Sequence, residues 1–188
     1  GLNQEHIQRI TPGDYLAYWK NYDSLVYVDD DYDSALLAST YASLLNVPLI
    51  IQGSTLDKPQ TFKDKRVLCI GREMSVAVGC AERFTVSQLQ KKYMEMTKTD
   101  KIVLVNPQDW TLHVKEKFYP EKSANPLVRI YTKMSLAAPI LASAKHELLV
   151  FVSDSFYQKV DTSLKKQLSS LQIVPRYLTI MAAPNAIE

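Results

Sequence analysis

The chain has 188 residues, 46% hydrophobic and 22% charged, with a formal net charge of +2. These are ordinary globular values, which exclude disordered and fibrous classes. So mild a charge balance gives no ground for nucleic acid as a partner, and no run approaches the ~18 apolar residues that a transmembrane segment needs.

A chain of this length fits one domain or two small, closely packed halves, and buries roughly 70% of its unfolded surface. It opens Gly1-Leu2-Asn3 without a Met, which reads as a processed or engineered start. No signal peptide is visible, but such a start leaves room for a removed export signal. The stop at Ile187-Glu188, soon after an apolar segment, reads as a cut from a longer protein.

Residues 1–10 read as an arm. Thr11-Pro12-Gly13-Asp14 is a helix-start signal, with a capping hydroxyl, Pro at the first position and an acid in the first turn. The short helix that follows places Tyr15, Leu16 and Trp19 on one face. Leu25-Val26-Tyr27-Val28 is an apolar strand. Asp29-Asp30-Asp31-Tyr32-Asp33 then leads into an Ala/Ser/Leu-rich helix over 35–46, with Asp33 as the expected N-cap. That helix is apolar around most of its circumference, as suits one lying between a sheet and another layer. Pro48 stops it and opens a second strand, 48–51. Residues 52–64 read as loop with a single helical turn, and 66–70 as a third strand closed by Gly71. Residues 71–84 read as an irregular link between halves.

Thr85-Val86-Ser87-Gln88 is a capping box that opens a helix running to Met96. Lys91 and Lys92 should face solvent, while Leu89, Tyr93 and Met96 form the buried stripe. A strand at 102–105 is followed by a 28-residue excursion, 106–133, that holds Trp110, His113, Phe118 and Tyr119. Long loops of this kind are uncommon in compact α/β domains and often functional. A helix over 135–146, a strand over 148–152, an amphipathic helix over 155–171 and a last strand over 177–183 complete the chain.

One stretch thus occurs twice: apolar strand, polar turn, Ala/Ser/Leu-rich helix, apolar strand, and later a strand closed by small residues. With an offset of 100, Leu36, Ala38, Ala42 and Ser43 fall on Leu136, Ala138, Ala142 and Ser143. Six short apolar strands alternating with helices predict an α/β, Rossmann-like fold with a largely parallel sheet, covered on both faces. It is built from two similar strand-helix-strand-strand halves, 1–84 and 85–188, the second with the insertion at 106–133. They either share one sheet or pack as one composite domain.

Chemistry is harder to find. The carboxyl ends of strands are where open α/β sheets bind ligands. There the first copy places Asp29, Asp30, Asp31 and Asp33, and the second Asn106, Gln108, Asp109 and Trp110. The aspartates suit a divalent cation, but the plainer reading is a solvated turn with one residue capping the helix. Trp110 would stack on a sugar ring or pin the insertion. Cys69, inside a strand, reads as a small buried hydrophobe. A Cys69–Cys80 bridge is sterically conceivable, and neither has CxxC spacing. His6, His113 and His146 are scattered, and no nucleophile–base pair emerges. The phosphate-cradling GxGxxG and GxxxxGK[ST] patterns are absent, so no nucleotide cofactor is expected. No catalytic residue, cofactor or metal site is assigned.

Asp33-Ser34-Ala35-Leu36-Leu37-Ala38-Ser39 through Asn46-Val47-Pro48-Leu49-Ile50-Ile51, closed by 67–71, resembles the cell-wall-binding repeats of the second type found in microbial surface proteins. The second copy departs from that pattern, with Lys133-Met134-Ser135 at the helix start and Leu148 in place of the proline. The end, 177–187, resembles the strand segment near the start of gingipain-like cysteine peptidase domains, whose Gly-His and Cys motifs are missing here. The resemblances imply an exported, extracellular or cell-surface protein. In it a non-catalytic α/β module binds a cell-envelope polymer or scaffolds neighbouring domains. The alternative they imply is an accessory part of such a peptidase.

Overall fold

The computed structural model of the protein describes residues 11–19, 21–72, 78–106, 134–152 and 160–181. Five helices and seven strands lie there in the order α1 (Tyr15–Tyr18), β1 (Ser24–Val28), α2 (Tyr32–Leu45), β2 (Leu49–Ile51), β3 (Arg66–Ile70), β4 (Cys80–Phe84), α3 (Val86–Thr97), β5 (Lys101–Val105), α4 (Ala138–Lys145), β6 (Leu148–Phe151), α5 (Val160–Leu171) and β7 (Tyr177–Met181). Single 3-10 turns occupy Pro12–Asp14, Pro59–Phe62 and Met134–Leu136. Most of the amphipathic helix expected over 155–171 is α5; residues 153–159 lie outside the described residues.

The fold is α/β and Rossmann-like, and all five strand pairings are parallel. The strands form two sheets, ordered β2-β1-β3-β4 and β6-β5-β7. In each, the first strand of the half lies between the two that follow it. Strands apolar at every position bury both faces, which explains why 25–28, 67–70, 102–105 and 148–150 are all buried. Val26, Val28, Leu68 and Ile70 on one face of the first sheet share a core with β5, β6, α2, α3 and α4. Leu25, Tyr27, Ile50, Val67 and Cys69 on the other face pack under Leu16, Tyr22, Leu56, Phe62 and Val78.

α2 and α4 end alike. Asn46 and His146 both take left-handed conformations, with φ of 55° and 54°. The amide N–H groups of the next residues, Val47 and Glu147, return to the carbonyls of Ala42 and Ala142. This paired closure satisfies carbonyls that a helix end leaves unpaired. The two helices pack against each other, and Ala38, Ala42, Ala138 and Ala142 are almost wholly buried. Small side chains at these positions let two helix backbones approach closely. Tyr32 Oη and Ser135 Oγ, 2.7 Å apart, add a hydrogen bond across the same junction.

Three expectations are corrected. Residues 80–84, read as irregular link, form β4, which pairs with β3 through a register shift between Val67 and Leu68. Their alternating half-buried and exposed pattern spans only five residues, two of them charged, too short a period for sequence to resolve. Asp31, not Asp33, caps α2: its backbone is extended and its carboxylate accepts the Ser34 N–H at 2.8 Å. Both aspartates suit a helix start electrostatically, so composition alone does not choose between them. Met96 is 44% exposed rather than buried. The buried face of α3 is turned toward Gln90, which leaves Met96 at its rim in the last turn. The Thr85–Gln88 capping box forms as expected.

Two core phenols make the fold sensitive to alkali. Tyr27 Oη donates to the Asp57 carboxylate at 3.0 Å, and Asp57 also accepts the Gly53 N–H at 2.8 Å. Burial, then Asp57, push the Tyr27 phenol from 10.0 up to about 12. Burial, then Glu147, do the same to Tyr93. Each phenol holds its proton more tightly in the folded chain, so the unfolded chain ionises first. Stability is therefore intact below pH 10 and falls as pH rises toward 12. Tyr93 Oη is buried and meets no hydrogen-bond partner among the described residues. Tyr93→Phe should thus be neutral or slightly stabilising at pH 7 and should flatten the alkaline loss. Urea unfolding at neutral pH and near pH 11 checks both effects, and an unchanged alkaline slope in the variant would refute the assignment.

Candidate functional site

The carboxyl ends of β1, β2 and β3, with the turn after β4, floor a cleft of about 870 Å³. Its rim is completed by the first turns of α2 and α3 and, from the second half, by Phe151, Gln167 and Ser170. Parallel strands set this up: every strand of a parallel sheet ends on the same side, so the polar turns after them converge.

Asp29 is the centre of the floor. Its Oδ2 accepts the Arg72 N–H at 3.0 Å, while its own N–H donates to the Ile70 carbonyl at 3.1 Å. The carboxylate lies directly over Gly71, where a Cβ would stand 2.1 Å from Asp29 Cγ and Oδ2. Gly71 also has φ of +123°, so it meets two demands that only glycine satisfies. Asp29 Oδ1 and Gln52 Oε1 are buried acceptor atoms with no hydrogen-bond partner among the described residues. Asp31 is engaged in capping α2. Burial, and then the neighbouring Asp31, raise the Asp33 carboxyl above its ordinary value.

The four predicted aspartates therefore all line the cleft, but in different roles. Among the described residues no three His, Cys, Asp or Glu side chains are grouped closely enough to hold a metal ion. Asn106 is buried at the end of β5 and does not line the cleft; Asp109 and Trp110 lie outside the described residues. The second half instead contributes Phe151, and α5 contributes Gln167, whose amide donates to the Phe151 carbonyl at 2.7 Å. Gln52 and Arg72 were legible in principle, because Gln52 directly follows β2 and Arg72 comes just after the glycine that closes β3. Phe151 and Gln167 carry no such signal on this side of the molecule.

Cys69 and Cys80 are joined in a disulfide that ties β3 to β4, so Cys69 is more than a small buried hydrophobe. The bridge closes the segment that begins with Gly71 and Arg72. The N–H of Gly71 donates to the Phe84 carbonyl at 3.0 Å, just before the Thr85 cap of α3. One wall of the cleft thus hangs on the crosslinked strand pair.

Fold and site together define an α/β protein with a polar cleft over the carboxyl ends of a parallel sheet. Compared with protein-family models, with curated proteins and with solved structures, the chain matches none.

Proposed function

We propose that the protein is a non-catalytic binding module of an exported or cell-surface protein, and that it takes a segment of cell-envelope polysaccharide in this cleft. The observation that carries the reading is the pair of buried, unpartnered acceptors, Asp29 Oδ1 and Gln52 Oε1, in a cleft that also presents Phe151. Acceptor atoms without partners call for a ligand that donates, and sugar hydroxyls donate without bringing a charge that must be desolvated. An aromatic side chain supplies apolar surface for the C–H face of a sugar ring. The Cys69–Cys80 bridge supports an oxidising compartment, where disulfides form and persist. The likeness of residues 33–71 to cell-wall-binding repeats points the same way.

Co-sedimentation with purified, insoluble cell-wall polysaccharide tests the reading. The wild-type protein should pellet with the polymer and be released by soluble fragments of it. The double variant Asp29→Asn, Gln52→Ala should bind at least ~10-fold more weakly, the loss expected for removing a hydrogen bond to a charged acceptor. A wild type left in the supernatant, or a folded double variant that pellets equally well, would overturn it.

A further inference from the structure

A strand at the edge of a sheet leaves alternate N–H and C=O groups unpaired, and native proteins guard such edges against adventitious pairing. Three of the four edges here are guarded. In β2 the bonds Val26 N–H to the Pro48 carbonyl and Gln52 N–H to the Val28 carbonyl leave Leu49 facing outward, and its N–H donates to Tyr15 Oη at 3.0 Å. In β6 the bond from Val152 N–H to the Val105 carbonyl leaves Leu149 and Phe151 facing outward. Their carbonyls accept the amides of Gln90 and Gln167 at 3.0 and 2.7 Å. β4 carries Glu82 and Arg83, and Glu82 is ion-paired with Arg66.

β7 is the exception. The bond from Arg176 N–H to the Asp100 carbonyl sets residues 176, 178 and 180 toward β5 and leaves the backbone of Tyr177, Thr179 and Met181 facing outward. Among the described residues no strand pairs with that edge. Tyr177–Met181 contains no charged residue, and Tyr177, Leu178 and Ile180 are 63%, 51% and 54% exposed.

We propose that β7 is the contact strand of a homodimer, pairing antiparallel with β7 of a second copy about a two-fold axis at Thr179. The register makes the strand complementary to itself. Thr179 faces Thr179 of the second copy, and Tyr177 faces its Met181, in pairs that exchange outward backbone hydrogen bonds. Leu178 faces Ile180 of the second copy in the non-hydrogen-bonded pairs, where opposed side chains approach closest. No like charges meet anywhere along the five residues. The result is a continuous six-stranded sheet with the symmetry of a closed dimer. Two five-residue strands bury less than the ~1,200 Å² of a standard interface, so the association is weak and depends on concentration.

Sedimentation velocity across a concentration series, from about 10 μM to about 1 mM, reads it directly. The wild type should show a reversible monomer–dimer equilibrium. Leu178→Lys with Ile180→Lys opposes lysine to lysine at both non-hydrogen-bonded pairs and should stay monomeric throughout. Leu178→Glu with Ile180→Lys opposes glutamate to lysine twice and should restore the dimer. A monomeric wild type overturns the proposal, including one that instead takes up an extended peptide from another protein. So does a Glu/Lys variant that is folded by circular dichroism yet as monomeric as the dilysine one. Should either double variant fail to fold, Thr179→Cys decides, because both native cysteines are already bonded to each other. Under mild oxidation it should crosslink into a dimer, and failure to crosslink counts against the axis.

Discussion

Gly71→Ala is expected to destabilise the protein by about 3–5 kcal/mol, a range reserved for a few named mechanisms. Two of them act at this position. The backbone has φ of +123°, a conformation costing a residue with a Cβ on the order of 1–3 kcal/mol. The added methyl would also stand 2.1 Å from the Asp29 carboxylate, so either Asp29 or the Gly71–Arg72 turn must move. The two costs separate in a double-mutant cycle. In an Asp29→Gly background the clash disappears and only the conformational strain remains, so Gly71→Ala should cost roughly half as much there. Guanidinium unfolding of the four proteins measures this. A loss below about 1 kcal/mol for the single variant would mean that the turn relaxes freely and does not hold Asp29 in place. In the proposed role, binding to cell-envelope polysaccharide should fall with Gly71→Ala even where the protein remains folded, because the displaced carboxylate is the one that floors the cleft.

Removing the Cys69–Cys80 bridge, by reduction or by Cys69→Ala with Cys80→Ala, is the second large expected effect. The two cysteines are 11 residues apart, a loop whose closure restricts the unfolded chain by about 3 kcal/mol in the chain-entropy account. For a protein of this size that corresponds to a fall in Tm of roughly 6–12 °C. The loss should not be spread evenly. β4 is an edge strand with alternate side chains exposed, and among the described residues it pairs only with β3. Amide exchange should therefore quicken first in residues 80–84 and at the Thr85 cap, while β1, paired on both sides, keeps its protection. Uniform quickening across both strands would show that the bridge acts on the whole fold rather than on this edge.

These two effects show how unevenly the site could be read from the chain. The acidic turn after β1 was visible because four aspartates in five residues follow a wholly apolar strand. That Gly71 and Arg72 return to the same carboxylate was not visible, since the contact spans 43 positions and depends on β3 pairing beside β1. Asp33 resisted assignment for a local reason. Both it and Asp31 lie at the helix start, and only the backbone geometry at Asp31 makes that residue the cap.

The sequence by itself determined the element types and their chemistry at short range. Runs such as Leu25 to Val28 and Ile102 to Val105 have no polar side, so they belong inside a covered parallel sheet. Thr85 and Gln88 cap a helix through contacts three residues apart, and the Ala-rich helices over 35–46 and 135–146 carry the same small residues at an offset of 100. The tertiary structure alone decided what depends on meetings of distant segments. The strands sort into two sheets that share one core. A segment with two charged residues in five becomes β4 because β3 offers it backbone partners and a disulfide. The cleft draws Phe151 and Gln167 from the second half rather than Asn106. The physical reason is common to all three: periodicity and capping are written within a few residues, whereas strand partners and cleft walls are chosen by the free energy of the whole packed chain.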